Sequence, residues 1–314
     1  MKFAILGSGF GLYGYLPALI SGCNQQVYLP ERYRAKLRER TDVRHFEDIV
    51  RWSSDDSAIL EEVDAVVISR RPRDQEQLIR CCVEIPHIQA LIMEKPLGMT
   101  PGSALAALEA LEASKKSYRI AYIFRYMPWA TQLRQALQSP DASGPVRIVW
   151  RFRAHHYAHG LMNWKRHVSE GGGALRFFGI QLIGLLAEIG YRDVANAQFT
   201  SSRQNECEAW SAEFSGERLP RCQVDVETNS AEERFSIEVP ESQSSSGRMV
   251  DLDDPFQQCA QIGGLDRRVA VLTELCRELI DGRDTGPAWY RRSLTLWSEC
   301  ERHLGQENGT WTAQ

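Results

Sequence analysis

The sequence has no large excess of charge of one sign, no C-x-x-C pair and no long apolar run. A formal net charge of −4 gives no electrostatic reason to expect nucleic acid or an anionic membrane as a partner. No apolar stretch approaches the roughly 20 residues that span a bilayer, so we expect no membrane segment. With 43% hydrophobic and 25% charged residues, the composition is typical of a globular protein.

The eight cysteines are scattered, and only Cys81 and Cys82 are neighbours. Because no spacing suits a metal or a redox pair, we interpret them as free thiols of a cytoplasmic protein. The apolar start of the chain, Met1 to Leu6, is too short for a secretion signal, and Gly7 follows at once. We therefore predict that it forms a strand.

Strand and helix patterns alternate in the first part of the chain, which favours a parallel, doubly wound α/β sheet. The predicted strands are Lys2–Leu6, Val27–Leu29, Val63–Ser69, Ile88–Met93 and Ile120–Phe124. The predicted helices run through Leu16–Ile20, over Gln75–Cys82 and from Thr100–Pro101 to about Lys116.

The pattern changes after about Phe124, where short alternating runs from Ala197 to Val239 predict a mostly antiparallel sheet with one wet face. We predict two domains, residues 1–123 and residues 124–314, the second an α+β domain with an open sheet. The other elements expected in it are a strand at Val146–Phe152, helices at Leu182–Ile189, Arg268–Ile280 and Trp289–Leu304, and loops at Pro140–Pro145 and Ser242–Gly247.

A glycine-rich turn separates the first strand from the first helix. Glycines there allow a tight turn and a close approach to a pyrophosphate, so Gly7, Gly9, Phe10 and Gly11 are predicted cofactor contacts. Two registers of G-x-G-x-x-G compete, one beginning at Gly9 and one at Gly7. We prefer the second because Gly7 directly follows the strand, although Leu12 then occupies the third glycine position.

The end of the second strand carries residues of both charges. Glu31 could accept hydrogen bonds from ribose hydroxyls and favour NAD, whereas Arg32 and Arg34 could face a 2′-phosphate and favour NADP. Both cofactors stay open, with NADP preferred.

Glu94-Lys95-Pro96 closes the buried strand Ile88–Met93. Open α/β sheets bind ligands at the carboxyl ends of their strands. A partly desolvated lysine at such a place can hold a proton near neutral pH and release it. We therefore interpret Lys95 as a candidate acid–base group.

Taken together, these motifs resemble the Gfo/Idh/MocA family of NAD(P)-dependent oxidoreductases over nearly the whole chain. The resemblance rests on the glycine turn followed by Leu16-Pro17-Ala18-Leu19, on Val63–Ile68 with Pro72 after it, on Glu94-Lys95-Pro96-Leu97, on Phe124-Arg125-Tyr126-Met127-Pro128, on Asn163-Trp164-Lys165 and on Gly171–Leu175.

The resemblance implies a Rossmann domain followed by an open-sheet domain, with the nicotinamide between them and the sheet mediating a homo-oligomer, a dimer or tetramer. Lys95 would lie beside the nicotinamide and the reacting atom, and Glu94 would order the site. The Lys95–Pro96 bond is often cis in such relatives. Ser69, Arg71 and Trp164 are the further cofactor contacts expected.

The departures from the family pattern concern proton transfer. The helix after the glycine triplet often carries an aspartate and, four residues on, a histidine, but here these positions hold Phe177 and Gln181. Neither side chain can exchange a proton. The usual histidine after the fourth strand is replaced by Gln75, and the usual Trp-Arg pair is Trp164-Lys165.

Other residues could supply the missing groups. Tyr126 follows the last predicted strand of the first domain and is a candidate acid. His155 and His156 would point to opposite faces if their strand continued, so we expect at most His155 to meet the substrate, together with Phe177 and Gln181. No carboxylate or cysteine lies at ligand spacing from the histidines, and we expect no metal.

These expectations favour a reductase or dehydrogenase acting on a C=O or C=N carbon of a small molecule, such as a modified sugar, a nucleotide-sugar or an imine. Lys95 would donate a proton or stabilise charge. The alternative is a dinucleotide-binding regulator or scaffold of the same fold that has lost catalysis, as Phe177 and Gln181 could indicate.

Overall fold

A computed structural model describes residues 1–137, 144–239, 247–282 and 287–307. The chain divides into two compact units. Unit 1 comprises Met1–Gly98, Ser103–Ile123 and Cys259–Pro287, and unit 2 comprises Met99–Gly102, Phe124–Gln258 and Ala288–Gln314. Residues 259–287, which we predicted to lie in the second domain, group with the first unit instead.

Unit 1 contains a six-stranded sheet in the order β3-β2-β1-β4-β5-β6, and every neighbouring pair is parallel. All side chains of β4 and β5 are buried, as in a sheet that is covered on both faces. This confirms the predicted doubly wound class. The strands are β1 (Lys2–Leu6), β2 (Gln26–Pro30), β3 (Arg51–Ser53), β4 (Ala65–Ile68), β5 (Ala90–Met93) and β6 (Ser117–Ile120).

The helices of unit 1 connect these strands, apart from one helix that returns from late in the sequence. The strand order reverses between β1 and β4, and ligands bind at such a switch point in open α/β sheets. The helices are the π-helical turns Gly11–Tyr15 and Ala18–Gly22, the 3-10 turns Glu31–Tyr33 and Arg44–Phe46, α1 (Arg34–Arg38), α2 (Asp56–Leu60), α3 (Pro72–Glu84), α4 (Pro101–Ser114) and the returning α8 (Val269–Ile280).

Helix α8 packs against the first helical segment of unit 1. A Cβ on Gly14 would lie 2.9 Å from Leu272, and a Cβ on Gly22 would lie 2.5 Å from the Thr273 hydroxyl oxygen. The Arg277 guanidinium donates to the Gly22 carbonyl at 3.0 Å. The amphipathic pattern of α8 is visible in the sequence, but the surface that it covers is not.

The last strand of unit 1 differs from its prediction. We expected a strand over Ile120–Phe124, but β6 ends at Ile120 and the chain then turns, with the Tyr122 N–H donating to the Ile120 carbonyl at 2.7 Å. A 3-10 helix follows at Ile123–Tyr126. The apolar run reflects burial, since Ile120, Tyr122 and Phe124 are all buried, rather than strand structure.

Unit 2 contains a six-stranded sheet in the order β12-β11-β7-β10-β9-β8. Only β7 and β10 pair in parallel, and the other neighbours are antiparallel, which confirms the predicted mostly antiparallel sheet. The strands are β7 (Val146–Arg153), β8 (Asp193–Thr200), β9 (Ala209–Gly216), β10 (Leu219–Glu227), β11 (Asn229–Glu238) and β12 (Arg248–Leu252).

The two faces of this second sheet differ in chemistry. On one face, the rings of Trp150 and Phe235 lie 5.4 and 6.4 Å from the ring of Phe124. The other face carries ion pairs such as Arg147–Asp225 at 3.5 Å. The alternation of buried and exposed residues along β9 and β10 follows from this division.

The helices of unit 2 include one long apolar stretch. Val168–Ile189 is long and apolar enough to cross a membrane, with a mean hydropathy of 1.4, but 72% of its most apolar stretch is buried within the protein, as in a core helix. The helices are α5 (Pro128–Leu137), α6 (His155–Ala158), the 3-10 turn Val168–Glu170, the π-helical Ala174–Gly179, α7 (Ile180–Ile189) and α9 (Trp289–Glu307).

Two predicted loops fall largely outside the described residues. Of Pro140–Pro145 only residues 144 and 145 are described, and of Ser242–Gly247 only Gly247. All eight cysteines are described, and each is a free thiol.

Candidate functional site

The glycine turn follows β1 at the switch point of the unit 1 sheet. A Cβ on Gly7 would lie 2.1 Å from the carbonyl oxygen of Ser69, the residue after β4. A Cβ on Gly11 would lie 2.8 Å from Ile5 Cγ2. No side chain other than hydrogen fits at either position, so the sheet and the first helix approach each other as closely as backbones allow.

Gly9 plays a different part in the turn. Nothing lies within 4 Å of the position that a Cβ on Gly9 would take, and the helix begins directly afterwards at Phe10 and Gly11. Bare backbone with open space at a helix start fits a pyrophosphate. These roles correspond to the register that starts at Gly7, with Gly11 rather than Leu12 providing the close packing.

Lys95 follows β5 in the same unit, one strand away from β4. Its side chain is partly exposed, whereas Pro96 and Leu97 are buried, and the Lys95–Pro96 bond is cis. The parallel register brings the carboxyl ends of β1, β4 and β5 to one edge of the sheet. The glycine turn and Lys95 therefore lie at the same edge.

The carboxyl group of Glu94 is held beside the lysine by Tyr15, a residue that no sequence motif marks. The buried Tyr15 hydroxyl donates to Glu94 Oε1 at 2.7 Å. Burial raises the pKa of Glu94, while the charge of Lys95, the Tyr15 hydrogen bond and the charge of Arg268 act in the opposite direction. No short-range signal marks Tyr15, because its partner lies 79 positions away.

The end of β2 carries the predicted ribose contacts. Glu31 is exposed, and its carboxylate pairs with Arg34 at 2.6 Å. Arg32 pairs with Asp56 at the start of α2, and Arg70 pairs with the other oxygen of the same carboxylate at 3.0 Å. Two guanidinium groups therefore share one carboxylate at this edge, which leaves an excess of positive charge.

Two further cations lie against the glycine turn, and the sequence motifs did not indicate either one. The Arg268 guanidinium, held by Asp266, lies 4.4 Å from the centre of the Phe10 ring. Lys36 donates to the Ser8 hydroxyl at 3.0 Å. Arg268 comes from the returning segment, so only the fold reveals that it approaches the turn. The remaining predicted contact of this unit, Arg71, is exposed at the start of α3.

Tyr126, the candidate acid, belongs to unit 2 and ends the 3-10 helix Ile123–Tyr126. Arg125 donates to its hydroxyl oxygen at 3.0 Å, and Glu188 fixes the same guanidinium at 2.8 Å. Because the phenol oxygen accepts this hydrogen bond, its own proton can be directed to another acceptor. The arrangement suits a hydroxyl that donates.

The predicted substrate residue Phe177 forms part of a partly exposed aromatic group in unit 2. Its ring lies 5.2 Å from that of Trp164 and 4.7 Å from that of Phe178, both edge to face. Lys165 Nζ lies 5.2 Å from the centre of the Phe177 ring. The combination of aromatic faces and one ammonium group can hold the apolar face of a ring together with an anionic substituent.

The other predicted substrate residues are placed less favourably. Gln181 lies on α7 with only 4% of its surface exposed, and its side-chain oxygen accepts from the Phe124 N–H at 3.5 Å. His155 is exposed on the surface of its own unit, where its ring stacks on that of His159 at 4.2 Å.

The histidine segment does not continue the preceding strand, so the condition under which His155 and His156 would point to opposite faces is not met. Strand β7 ends at Arg153, and His155–Ala158 form the short helix α6. His156 is the buried member, and burial with the charges of Lys165 and Arg166 lowers its pKa to about 4. In the described part of the chain, no group of three or more His, Cys, Asp or Glu residues could hold a metal ion.

The parallel sheet with a glycine turn at its switch point defines a dinucleotide-binding unit of the Rossmann class. Residues 1–122 match the family model of the Gfo/Idh/MocA oxidoreductases, which describes their NAD-binding Rossmann fold. This match agrees with the predicted family and with the predicted class, an NAD(P)-dependent oxidoreductase, over the matched residues. Among curated proteins, no sequence matches the chain.

Several solved structures share the fold over the whole chain. The WlbA dehydrogenase from Bordetella pertussis, in complex with NADH and UDP-GlcNAcA, is 12% identical at a TM-score of 0.77, with 98% of this chain and 97% of that chain covered. The 3-ketoreductase KijD10 from Actinomadura kijaniata, in complex with NADP and TDP-benzene, is 14% identical at a TM-score of 0.69, with 96% of each chain covered.

The UDP-N-acetylglucosamine 3-dehydrogenase GnnA from Acidithiobacillus ferrooxidans is also similar. It is 14% identical at a TM-score of 0.70, with 98% of each chain covered. Similarity at these identities concerns the fold.

Proposed function

We propose that the protein transfers a hydride between a nicotinamide and a C=O or C=N carbon of a small molecule, with Lys95 as the proton donor. The observation that carries the proposal is the position of Lys95, which lies at the same sheet edge as the glycine turn. The nicotinamide of the bound cofactor would supply the hydride. Gly7, Gly9, Phe10 and Gly11 would hold the pyrophosphate, and Ser69 would border it.

In the reductive direction, Lys95 gives a proton to the oxygen or nitrogen of the substrate as its carbon receives the hydride. The protonated ammonium also stabilises negative charge that develops on that atom. Glu94, fixed by Tyr15, places its carboxyl group beside the ammonium. We favour reduction over oxidation because Phe177 and Gln181 replace the Asp and His of the family pattern and cannot accept a proton.

As substrate we propose a nucleotide-sugar or another modified sugar, with an imine as the other option. The printed names of the similar structures, which include UDP-GlcNAcA and a 3-ketoreductase, support sugar chemistry for the fold. In this chain, the support is the aromatic group of Trp164, Phe177 and Phe178 with Lys165 beside it.

We propose NADP as the preferred cofactor. Arg32 and Arg70 share the single carboxylate of Asp56, and the excess positive charge suits a 2′-phosphate. Glu31, the residue that would bind ribose hydroxyls of NAD, is engaged by Arg34. NAD stays the alternative.

The experiment that tests the function is a transfer assay followed by nicotinamide absorbance. The protein is incubated with NADPH or NADH and 3-keto forms of UDP- and TDP-hexoses, cyclic imines and simple ketones, and with the oxidised cofactors and UDP-GlcNAc or UDP-GlcNAcA. Turnover of at least one compound class is expected. Tight dinucleotide binding, measured by calorimetry, without turnover across the panel would favour the regulator or scaffold instead.

We also propose that the protein forms a homo-oligomer through the open face of the unit 2 sheet. That face carries balanced ion pairs, including Arg147–Asp225 and Arg151–Glu232. Sedimentation at low and high salt tests this, because pairs of this kind weaken when screened. A monomer at both salt concentrations would contradict the proposal.

A further inference from the structure

Gln75, which replaces the usual histidine of the family pattern, lies in the first turns of α3 and has none of its surface exposed. Its side-chain amide contacts the backbone of the turn that carries Lys95. The amide oxygen accepts from the Glu94 N–H at 3.0 Å. The amide nitrogen donates to the carbonyl oxygens of Glu94, Pro96 and Leu97, at 2.8, 3.0 and 3.3 Å.

These contacts use both halves of the amide on peptide groups that flank Lys95 on each side. Buried carbonyl oxygens without a partner cost about 1–3 kcal/mol each. The Glu94 N–H also has a strand partner, because it donates to the Ile68 carbonyl. The carbonyls of Glu94, Pro96 and Leu97 have no strand to pair with, because β5 ends at Met93. A side chain from a neighbouring helix therefore completes the turn.

Glutamine is suited to this task by its hydrogen-bonding inventory. It offers an acceptor and two N–H donors on one planar group, whereas a neutral histidine offers one donor and one acceptor on opposite sides of a ring. The pattern at Gln75, one hydrogen bond accepted and three carbonyls reached, matches an amide. The side chain at this position therefore binds backbone groups of the Lys95 turn. The replacement of the usual histidine by glutamine supplies these hydrogen bonds as well as removing an imidazole.

We propose that Gln75 is a positioning residue, which fixes the Glu94–Leu97 backbone so that the Lys95 ammonium is held in one place for proton transfer. The proposal rests on the proposed function of Lys95. A displacement of about 1 Å can lower a rate by on the order of 100-fold, so a loosened turn would reduce turnover. The hydrogen bonds of the Gln75 side chain all go to residues 94–97, so the glycine turn should continue to bind the dinucleotide.

The test compares Gln75→Leu with Ile79→Ala, a variant of a fully buried residue one turn later on the same helix. Both variants lose stability, and thermal unfolding measures by how much. The direct readout is the rate at which acetic anhydride acylates the Lys95 amine, followed by peptide mass spectrometry. NADPH affinity is measured by calorimetry. The values of kcat and KM are measured on the substrate that the compound panel under Proposed function identifies.

For Gln75→Leu we expect a severalfold change in the acylation rate, a fall in kcat on the order of 10- to 100-fold and an NADPH affinity within about threefold of the parent. Ile79→Ala should keep the parent's acylation rate and kcat. Equal acylation and kcat in the two variants at similar loss of stability would overturn the proposal.

Two additions keep the result interpretable. Gln75→His retains one donor and one acceptor, so it should recover part of the kcat and of the parent's acylation rate. It also serves if Gln75→Leu does not fold.

The acylation readout needs no substrate, so it tests Gln75 even if the panel finds no turnover. A changed acylation rate without any turnover would mean that the proposed function had failed while the positioning contact held.

Discussion

The Lys95 turn of unit 1 and the Phe177 face of unit 2 are built in opposite ways. The first is polar and fixed through backbone, with Gln75 bonding the peptide groups around Lys95 and Tyr15 bonding Glu94. The second is aromatic, and Phe177 is held by edge-to-face contacts with Trp164 and Phe178. Under the proposed function, proton transfer belongs to the first region and ring recognition to the second.

This contrast bears on how the protein could work without the Asp and His of its family pattern. A single acid suffices for reduction if it is well placed, because the hydride comes from the cofactor and only one proton must be given. At one of the two positions the apolar ring of Phe177 takes the place of an ionisable group, and at the other the amide of Gln181 cannot exchange a proton. The predictions below separate the two regions.

The largest effect is expected from Lys95→Ala, which tests whether unit 1 carries the proton transfer. We expect turnover to fall on the order of 10²- to 10⁴-fold, since general acid catalysis is lost, with NADPH binding largely intact. Lys95→Arg keeps the charge but not a proton that can be released near neutral pH, and it should be almost as slow. Steady-state kinetics on the substrate found by the panel measure both. An alanine variant at the parent's rate would remove Lys95 from the mechanism.

The second prediction concerns acid stability and belongs to unit 2. His156 has a pKa of about 4 when folded and near 6.5 when unfolded, so the unfolded chain binds the proton more readily between these values. Stability should therefore fall as the pH drops below about 6.5. The expected loss from His156 is about 2 kcal/mol by pH 5.

Urea unfolding at pH 7 and pH 5 measures this loss. His156→Gln should remove it, whereas His155→Gln, a change at an exposed neighbour, should leave it in place. Burial is the largest cause of the lowered pKa of His156, followed by the charges of Lys165 and Arg166, and His155 contributes least, so its loss should change the effect little. A parallel pH slope in the parent and in His156→Gln would show that other groups govern acid unfolding.

Tyr126→Phe tests whether unit 2 contributes a proton after all. If its hydroxyl, which accepts from Arg125, assists Lys95, kcat should fall about tenfold, the contribution of a lost hydrogen bond in a transition state. Tyr191→Phe is the matched control, because it removes a phenol that bonds the Pro220 carbonyl in the same unit. Equal kcat values for the parent and Tyr126→Phe would confine proton transfer to Lys95.

The smallest expected effect is on cofactor choice. Arg70→Ala should lower the affinity for NADPH severalfold and leave that for NADH nearly unchanged, because only the 2′-phosphate loses a charge partner. Arg73→Ala, at an exposed position on α3, removes the same charge nearby and serves as control. Calorimetric titration with both dinucleotides gives the ratio of the NADPH affinity to the NADH affinity for each variant. Similar ratios in the two variants would contradict the NADP preference.

The polar edge of unit 1 was largely accessible from the sequence because it depends on short-range rules. A glycine turn after a strand and a charged pair at the end of a buried strand follow from sheet geometry, and both lie where expected at Gly7–Gly11 and Glu94–Lys95. The contacts that hold this edge in place could not be predicted from the sequence. Tyr15, Gln75 and Arg268 act across long separations that no local pattern encodes.

The errors in unit 2 and at its border have local causes. Four residues, His155–Ala158, are too few to show a helical period, so the sequence does not reveal the short helix that follows the strand. The run from Ile120 to Phe124 is apolar because it is buried, and burial alone does not distinguish a strand from a turn and a 3-10 helix. Helix α8 was predicted, but the surface of unit 1 against which it packs was not.

The return of residues 259–287 to unit 1 has a consequence for the order of events during synthesis. The first 123 residues leave the ribosome without the helix that covers Gly14 and Gly22 and that bonds Arg119 through the Glu278 carbonyl. Domains generally fold as they emerge, but this nucleotide-binding unit stays incomplete until most of the other unit has been translated. The nascent chain therefore carries an uncovered apolar surface through most of its translation, and a fragment ending at residue 123 should be insoluble unless a peptide of residues 259–287 is supplied.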